Sequence, residues 1–480
     1  MQNSKLIDLL RTLGRDELKK FDDFVASPYF NRNSNAIKLL RFIENYSPKY
    51  RGAELEKEYA YSQIFPGKPY NDKIMKNLMS ELLNLGEKFL EQINYEMQKN
   101  NKYPYLLSEL LKRNLFKNFE KNLKQAEESF KSSFVSEENY YNILLVKSLV
   151  HGFELRTKPG LERVTDIKIL FDSLFALFAI FYFKVNHILC SRQKDYNFQY
   201  DFEVEIEFSE SLLKYIKQKS LNTEPVILIY YYMFMTGYTK EDDYYSNLMN
   251  LFNEHSSLFS NEEKYSLFMS MVSFCSHKLS LGEKEYAKTS LEIYKKILKT
   301  RINPYSGKSE PILPLIFKNV VKSGIMAKEY NWLMEFVEEY KDKLSGGFDT
   351  DLYNFSLANI YFKMKNFSKA FECLSSVNYE NVYDKLDVRC LLIQLYFETG
   401  SHENMISQSD SFKHFLNNDK LLSKRTKDTY LNFIRFIDKL MTPVSGKDKK
   451  YFIETNKKEL SSVVVYDKGW LSEKFEEYKV

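Results

Sequence analysis

DLYNFSLANIYFKMKNFSKAFECLSSVNYENVYDKLDVRCLLIQLYFETGSHENMISQSDSFKHFL, residues 351–416, lays down a helix, a tight turn and a second helix, and then does so again. Leu357, Ala358 and Tyr361 share one helical face, and Lys365 and Asn366 make the turn. Ala370, Leu374 and Val377 mark one face of the next helix at the i, i+4, i+7 spacing of a 3.6-residue period. The second unit runs Leu392, Leu395 and Tyr396, turns at Gly400 and resumes with Met405 and Ile406. From Tyr361 to Tyr396 is 35 residues. Small residues suit positions where paired helices approach closely, and large ones fill the space between pairs.

This bulky–small–Tyr face, with a small Ala early in the second helix, resembles the tetratricopeptide pattern and its period of about 34 residues. Looser pairs precede it. Ile316–Val321, a turn near Gly324 and then Trp332, Phe336, Val337 and Tyr340 read as one pair. Tyr265–Lys278 with Tyr286–Leu298 read as another, and Val226–Met235 with Tyr244–Phe252 as a third. At the front, Leu106–Leu111, a break at Arg113-Asn114 and Phe119–Phe130 have the same texture. Spacing drifts where loops intrude, as at Asn303–Pro314. The 480 residues hold only 15 Gly and 11 Pro, and strand-like alternation is confined to Phe202–Phe208 and Leu460–Tyr466. The expected fold is therefore all-α, a tetratricopeptide-like array of helical pairs (an α-solenoid) with a small helical N-terminal unit. The 38 Phe and 36 Tyr are read as filling for stacked helices.

Basic and acidic residues number 69 and 65, a net charge of +4, which sets up no general field for nucleic acid or an acidic membrane. Cys190, Cys275, Cys373 and Cys390 lie far apart without a CxxC pair, so buried free thiols are expected. Met1–Lys19 carries charges throughout and has no apolar secretory core. The most apolar stretch, Ser173–Phe183, is bounded by Asp172 and Lys184. Eleven residues fall short of the about 20 that a bilayer needs, so it is read as a central buried helix, with no membrane span and a cytoplasmic location.

Three zones are expected: residues 1–98, a helical N-terminal unit with helix-turn-helix-like order; 101–440, the repeat array; and 441–480, a capping segment after the Thr442–Gly446 break. In the cap, the helix Gly469–Tyr478 docks Trp470 and Leu471 inward and turns Lys474, Glu476 and Glu477 outward. In the first zone Pro28 stops a helix, and Asn31 or Asn33 caps the next. Asn71 or Asp72 caps a long helix through Met79, Leu82, Leu85 and Phe89.

Four strings, SPYFNRN from Ser27, IFPGKPYNDKIMKNLMSELL from Ile64, EYNWLMEFVEEYKDKL from Glu329, and the run from Asn354 to Gly400, resemble a family of bacterial helical proteins common in Bacteroidetes, to which no function is assigned. The resemblance covers most of the chain. It implies a cytoplasmic, tetratricopeptide-like protein and supplies no active-site residue.

Catalytic patterns are sparse. Gly307-Lys308-Ser309 ends like a phosphate-binding loop, but Ile302 stands where the leading Gly belongs and no apolar strand precedes it; Gly446-Lys447 fails likewise. His151, His187, His255, His277, His402 and His414 complete no metal-ligand spacing. No Gly-x-Ser-x-Gly elbow occurs, and Glu335, Glu338 and Glu339 read as a solvated acidic face. No catalytic residue, metal or cofactor is expected. The expected function is a non-enzymatic scaffold that binds a peptide or helix of a protein partner on the array. An alternative is a transcriptional regulator whose N-terminal helix-turn-helix binds DNA through Lys68, Lys73 and Lys76, at the start of the helix after the Pro66–Pro69 turn. Residues 1–100 carry 16 basic against 14 acidic residues, a weak electrostatic footprint for that reading.

Overall fold

The computed structural model describes residues 1–480 apart from 53–54, 98–99, 132–133, 135, 158–163, 196–199, 220–223, 301–311, 345–348, 379–381, 420–421, 443, 445–447 and 478–480. The two Gly-Lys loops of the sequence, most of the Asn303–Pro314 loop and Tyr478 lie outside the described residues. Every regular element among the described residues is helical, and a single isolated bridge joins Ile312 to Leu344. Neither stretch of strand-like alternation forms a strand: Phe202–Phe208 runs into one helix, and Leu460–Tyr466 finishes another at Ser462 and continues as irregular chain.

By their contacts the residues form two compact units, 1–182 with 208–227 and 183–207 with 228–480. The boundaries between them, at 182/183, 207/208 and 227/228, fall inside three helices. The first unit begins with α1 (Lys5–Thr12), α2 (Arg15–Ala26), α3 (Ser34–Glu44), α4 (Lys57–Ile64) and α5 (Asp72–Met97). All four shorter helices pack on α5, which buries Met75, Leu78, Met79, Leu82, Leu85 and Phe89. These residues share one core with Leu6, Ile7, Phe21, Leu39, Leu40 and Ile43. Asn33 caps α3 by accepting the Asn35 N–H, and Asn71 caps α5 by accepting the Ile74 N–H. Next, α6 (Lys102–Lys112), α7 (Phe116–Lys131) and α8 (Glu137–Thr157) build a second core around Leu107, Phe119 and Phe153.

Then comes α9 (Val164–Asp195), three times longer than the Ser173–Phe183 segment read from sequence. The bounding charges do not end it. Asp172 and Lys184 leave the backbone ladder intact, and the Lys184 ammonium finds Glu263 at 2.7 Å and the Tyr230 ring at 4.8 Å. Nor is it a buried helix throughout. Ser173, Ala176, Ala179, Ile180, Phe183, Asn186 and Cys190 are buried, whereas Phe171, Leu174, Phe178 and Phe181 are exposed. Residues 167–193 are long and apolar enough, by length and composition, to cross a membrane, which removes the length argument against a span.

The first unit closes with α10 (Glu203–Lys219), whose first residues belong to the second unit. The second unit continues in pairs: α11 (Glu224–Thr239) with α12 (Asp242–His255), α13 (Asn261–Ser280) with α14 (Tyr286–Lys299), α15 (Pro314–Met326) with α16 (Tyr330–Tyr340), α17 (Thr350–Lys363) with α18 (Phe367–Ser375), and α19 (Val382–Glu398) with α20 (His402–Asn418). It ends with α21 (Lys424–Leu440), α22 (Asp448–Ser462) and α23 (Lys468–Glu477). From α13 to α21 each helix packs on the next, and the first helices α15, α17 and α19 also pack on one another. This is the contact pattern of stacked pairs.

The α17–α18 turn is as expected: Lys365 takes φ 60° and Asn366 caps α18 by accepting the Lys369 N–H. Gly400 takes φ 69° after α19. Gly324 is different. It lies within α15, and the turn comes later, at Lys328 with φ 60°. A Cβ at Gly324 would stand 2.5 Å from Leu333 Cδ2, so the glycine is there because α16 presses its Leu333 against the α15 backbone. Of Met405 and Ile406, with which the second helix was expected to resume, Met405 is buried and Ile406 is exposed.

The tail is part of the core. Trp470, Leu471 and Phe475 are buried in the same cluster as Ala370, Leu391 and Phe433. Lys474 also turns inward, contrary to its expected outward place. It stands one turn after Trp470 on the same face, and its ammonium is held by Glu398 at 2.8 Å and Glu477 at 2.6 Å. The other Glu398 contact is the Trp470 indole N–H at 2.7 Å.

Candidate functional site

The first helices of the second unit carry charged residues on a face that packing would otherwise make apolar. On α15 these are Lys318 and Lys322, one turn apart, and on α19 they are Asp384 and Asp387. Lys318 Nζ meets Asp384 Oδ1 at 2.7 Å, although α17 stands between these helices in the row. The row of first helices therefore brings the polar face of α15 up to that of α19.

Deeper along α19, Tyr430 of α21 donates its hydroxyl to Asp387 Oδ1 at 2.7 Å. Two turns further, Gln394 donates to Asp467 Oδ2 at 3.0 Å, and Lys363 of α17 reaches the same oxygen at 2.8 Å. Asp467 Oδ1 caps α23 by accepting the Trp470 N–H at 3.2 Å. Four helices and the α22–α23 connection thus supply one continuous set of acceptors and donors. A quarter of the Asp467 and Lys363 side chains still reaches solvent.

The two inner carboxyls differ in their electrostatics. Burial pushes the Asp387 carboxyl above its ordinary range, with Asp384 adding to the rise while the Tyr430 hydroxyl, Lys322 and Lys318 oppose it. Burial also pushes Asp467 up, but the Lys363 charge and the bonds from Lys363, Gln394 and the Trp470 amide outweigh it and hold the carboxyl low. Burial followed by nearby carboxylates raises the Cys390 thiol and the Tyr430 and Tyr466 phenols. Cys390 is therefore held as a thiol, and a thiol is a poor nucleophile. What this arrangement offers chemically is a set of fixed hydrogen-bond acceptors, a phenol and lysine ammoniums.

Sequence reading singled out none of Lys318, Lys322, Lys363, Asp384, Asp387, Gln394, Tyr430 and Asp467. A signal was present, in the paired charges at helical spacing on α15 and α19, but which face the first helices turn inward depends on packing between residues 66 apart.

Lys68, Lys73 and Lys76 are all exposed near the start of α5. Lys76 is paired with an acid: Asp72 accepts Lys76 at 2.7 Å and the Tyr70 hydroxyl at 3.0 Å, and Lys57 lies 3.6 Å away. These hydrogen bonds, first that of Lys76, hold the Asp72 carboxyl low and ionised. Residues 65–71 separate α4 from α5, a longer connection than the 3–4-residue turn of a helix-turn-helix. Lys68 leans over the Phe65 ring at 5.9 Å.

Elsewhere, the Glu338 and Glu339 carboxylates are exposed and pair with Lys341 and Lys343 on their own surface. Cys190, Cys275 and Cys390 are buried free thiols and Cys373 is half-buried. Among the described residues no group of three His, Cys, Asp or Glu side chains is placed to hold a metal ion. A shallow depression beside Met249 is lined by Glu285, Lys288, Glu292 and Lys296 from the outer face of α14 and gathers no convergent set of polar groups. Comparison with protein-family models, curated proteins and solved structures found no match to the chain.

Proposed function

We propose that the chain is a non-enzymatic scaffold that holds a peptide or helix of a partner protein against the first helices of its second unit. The observation that carries this reading is the Lys318–Asp384 bond across α17, which gathers charged side chains of successive pairs into one recognition face. Stacked helix pairs present such a face as a curved surface, the solenoid arrangement that suits an extended or helical ligand. Asp384 and Asp387 would take basic or amide donors of the ligand, and Lys318 and Lys322 would take its carboxylates. Free thiols and near-balanced charge suit a cytoplasmic protein that binds protein.

Selection of random peptides displayed on phage, against the full chain, tests this. Enriched peptides should carry a basic and an acidic residue in a fixed spacing, and Asp387→Lys or Lys322→Glu should abolish their capture. Enrichment that survives both substitutions would remove this face from consideration. The DNA-binding reading separates cleanly. Under it, Lys68→Glu, Lys73→Glu and Lys76→Glu together would abolish a salt-dependent interaction with duplex DNA.

A further inference from the structure

The exposed side of α9 is a regular seam. Ile167, Phe171, Leu174, Phe178, Phe181, Val185 and Ile188 follow one another at alternating steps of four and three residues. All seven are apolar, and each is between 44% and 54% exposed. The buried residues of the same helix, from Ser173 to Cys190, lie on another side. A helix packed on one side and facing water on the other normally turns charges outward. Here the outward side repeats every seven residues for three heptads, the 3.5-residue period that meshes with another helix.

We infer that this seam is a dimer interface, and that its occupant is α9 of a second copy of the chain, running antiparallel. Two observations select that occupant. The first is self-complementarity. In the antiparallel register that sets Phe178 against Phe181, Leu174 meets Val185 and Phe171 meets Ile188. Outside the central Phe–Phe layer, each layer then joins a larger side chain to a smaller one. The parallel arrangement would stack Phe171, Phe178 and Phe181 each on its own copy. The second is area. Seven half-exposed apolar side chains offer on the order of 600 Å². A two-fold pair would bury about twice that, at the lower bound of specific interfaces. A patch of this size left bare on a monomer would be an aggregation hazard. The interface is independent of the polar face on α15–α21, and either assignment can fail alone.

Sedimentation equilibrium of the full chain is the test, with a monomer mass of 57.2 kDa as reference. The wild-type chain should sediment at twice that mass in the micromolar range. Phe178→Glu and Phe181→Glu, separately, should each weaken the dimer at least about tenfold, with unchanged helical circular dichroism. Orientation follows from cysteines introduced on a Cys373→Ser background. Phe171→Cys mixed with Ile188→Cys should form an intermolecular disulfide, and Phe171→Cys alone should not. A monomeric wild-type chain, or a dimer indifferent to both glutamates, would overturn the proposal, and self-crosslinking of Phe171→Cys would overturn the antiparallel register. Flotation of the wild-type chain, but not of Phe178→Glu, with phosphatidylglycerol–phosphatidylcholine vesicles would assign the seam to lipid and overturn it as well.

Discussion

Replacing Gly324 with alanine adds one methyl group at the tightest helix–helix approach that the glycines of this chain define. The new Cβ would stand 2.5 Å from Leu333 Cδ2, 2.6 Å from Cγ and 2.9 Å from Cδ1. Ordinary carbon contacts fall at about 3.5–4.0 Å, so three atoms would be overlapped by about 1 Å. Leu333 has no exposed surface into which it could retreat. Overpacking of this kind costs about 1–3 kcal/mol. Alanine is better than glycine in a helix by about 0.8–1 kcal/mol, which offsets part of it. With three atoms overlapped the overpacking cost lies at the upper end of its range, about 2–3 kcal/mol, so the expected net loss is about 1–2 kcal/mol. A chain with two compact units need not unfold in one step. The suitable assay is therefore hydrogen exchange at the amides of α15 and α16, alongside urea unfolding followed by circular dichroism. Leu333→Ala alone should cost about 2–5 kcal/mol. In the double variant the added methyl occupies the vacated space, so the two costs should fall short of additive by at least about 1 kcal/mol. A Gly324→Ala chain as stable as the wild type, or simple additivity in the double variant, would refute the account of why this residue is glycine.

Three further outcomes follow from the polar contacts. Glu398→Ala strands the Trp470 indole N–H and leaves the Lys474 ammonium on Glu477 alone, so it should destabilise by about 1–3 kcal/mol, while Lys474→Met should cost less; urea midpoints followed by tryptophan fluorescence compare them. Asp467 and Asp387 should leave opposite marks on stability against pH, read from urea midpoints between pH 3 and pH 7. The folded carboxyl of Asp467 is depressed, so its stabilisation is present above the unfolded value and lost as pH falls through the lower folded one; Asp467→Asn should therefore hurt at pH 7 and lose its effect in acid. The folded carboxyl of Asp387 is raised, so stability falls as pH climbs from the unfolded value of about 3.9 through the folded one, and Asp387→Asn should flatten that fall. Lys68→Glu, Lys73→Glu and Lys76→Glu together should leave the captured peptides of the second unit bound as before, measured by the same display selection.

Local signals read well because they are decided within one or two turns. Asn33, Asn71 and Asn366 cap the helices at which the sequence placed a start, and Gly400 turns the chain where expected. The pairs α17–α18 and α19–α20 follow from the 35-residue spacing. Errors arose where a residue type has two uses. Gly324 serves close packing and not a turn, and the turn went to Lys328, a residue with no special propensity for positive φ. Asp172 and Lys184 looked like boundaries, yet a helix needs only somewhere for their charges to go. Lys474 was assigned by charge, whereas its position one turn after Trp470 decided its direction. The polar face on α15, α19 and α21 stayed hidden for a different reason. Its members are single charged residues in ordinary amphipathic patterns, and only packing between helices far apart in the chain shows that they face one another.

The bonds from Lys363 and Gln394 to Asp467, and from Glu398 to Trp470, tie α17 and α19 to a segment 72 to 104 residues later. During synthesis, α17–α20 emerge and pair long before that segment has left the ribosome. Until it arrives, Lys363, Gln394 and Glu398 lack their native partners, and the apolar bed of Trp470 and Leu471 stands open to water. The last pairs of helices can therefore begin to assemble but cannot be completed. A chain broken off before residue 467 would keep that bed exposed, and an open apolar surface of this kind marks a chain for chaperones and proteases.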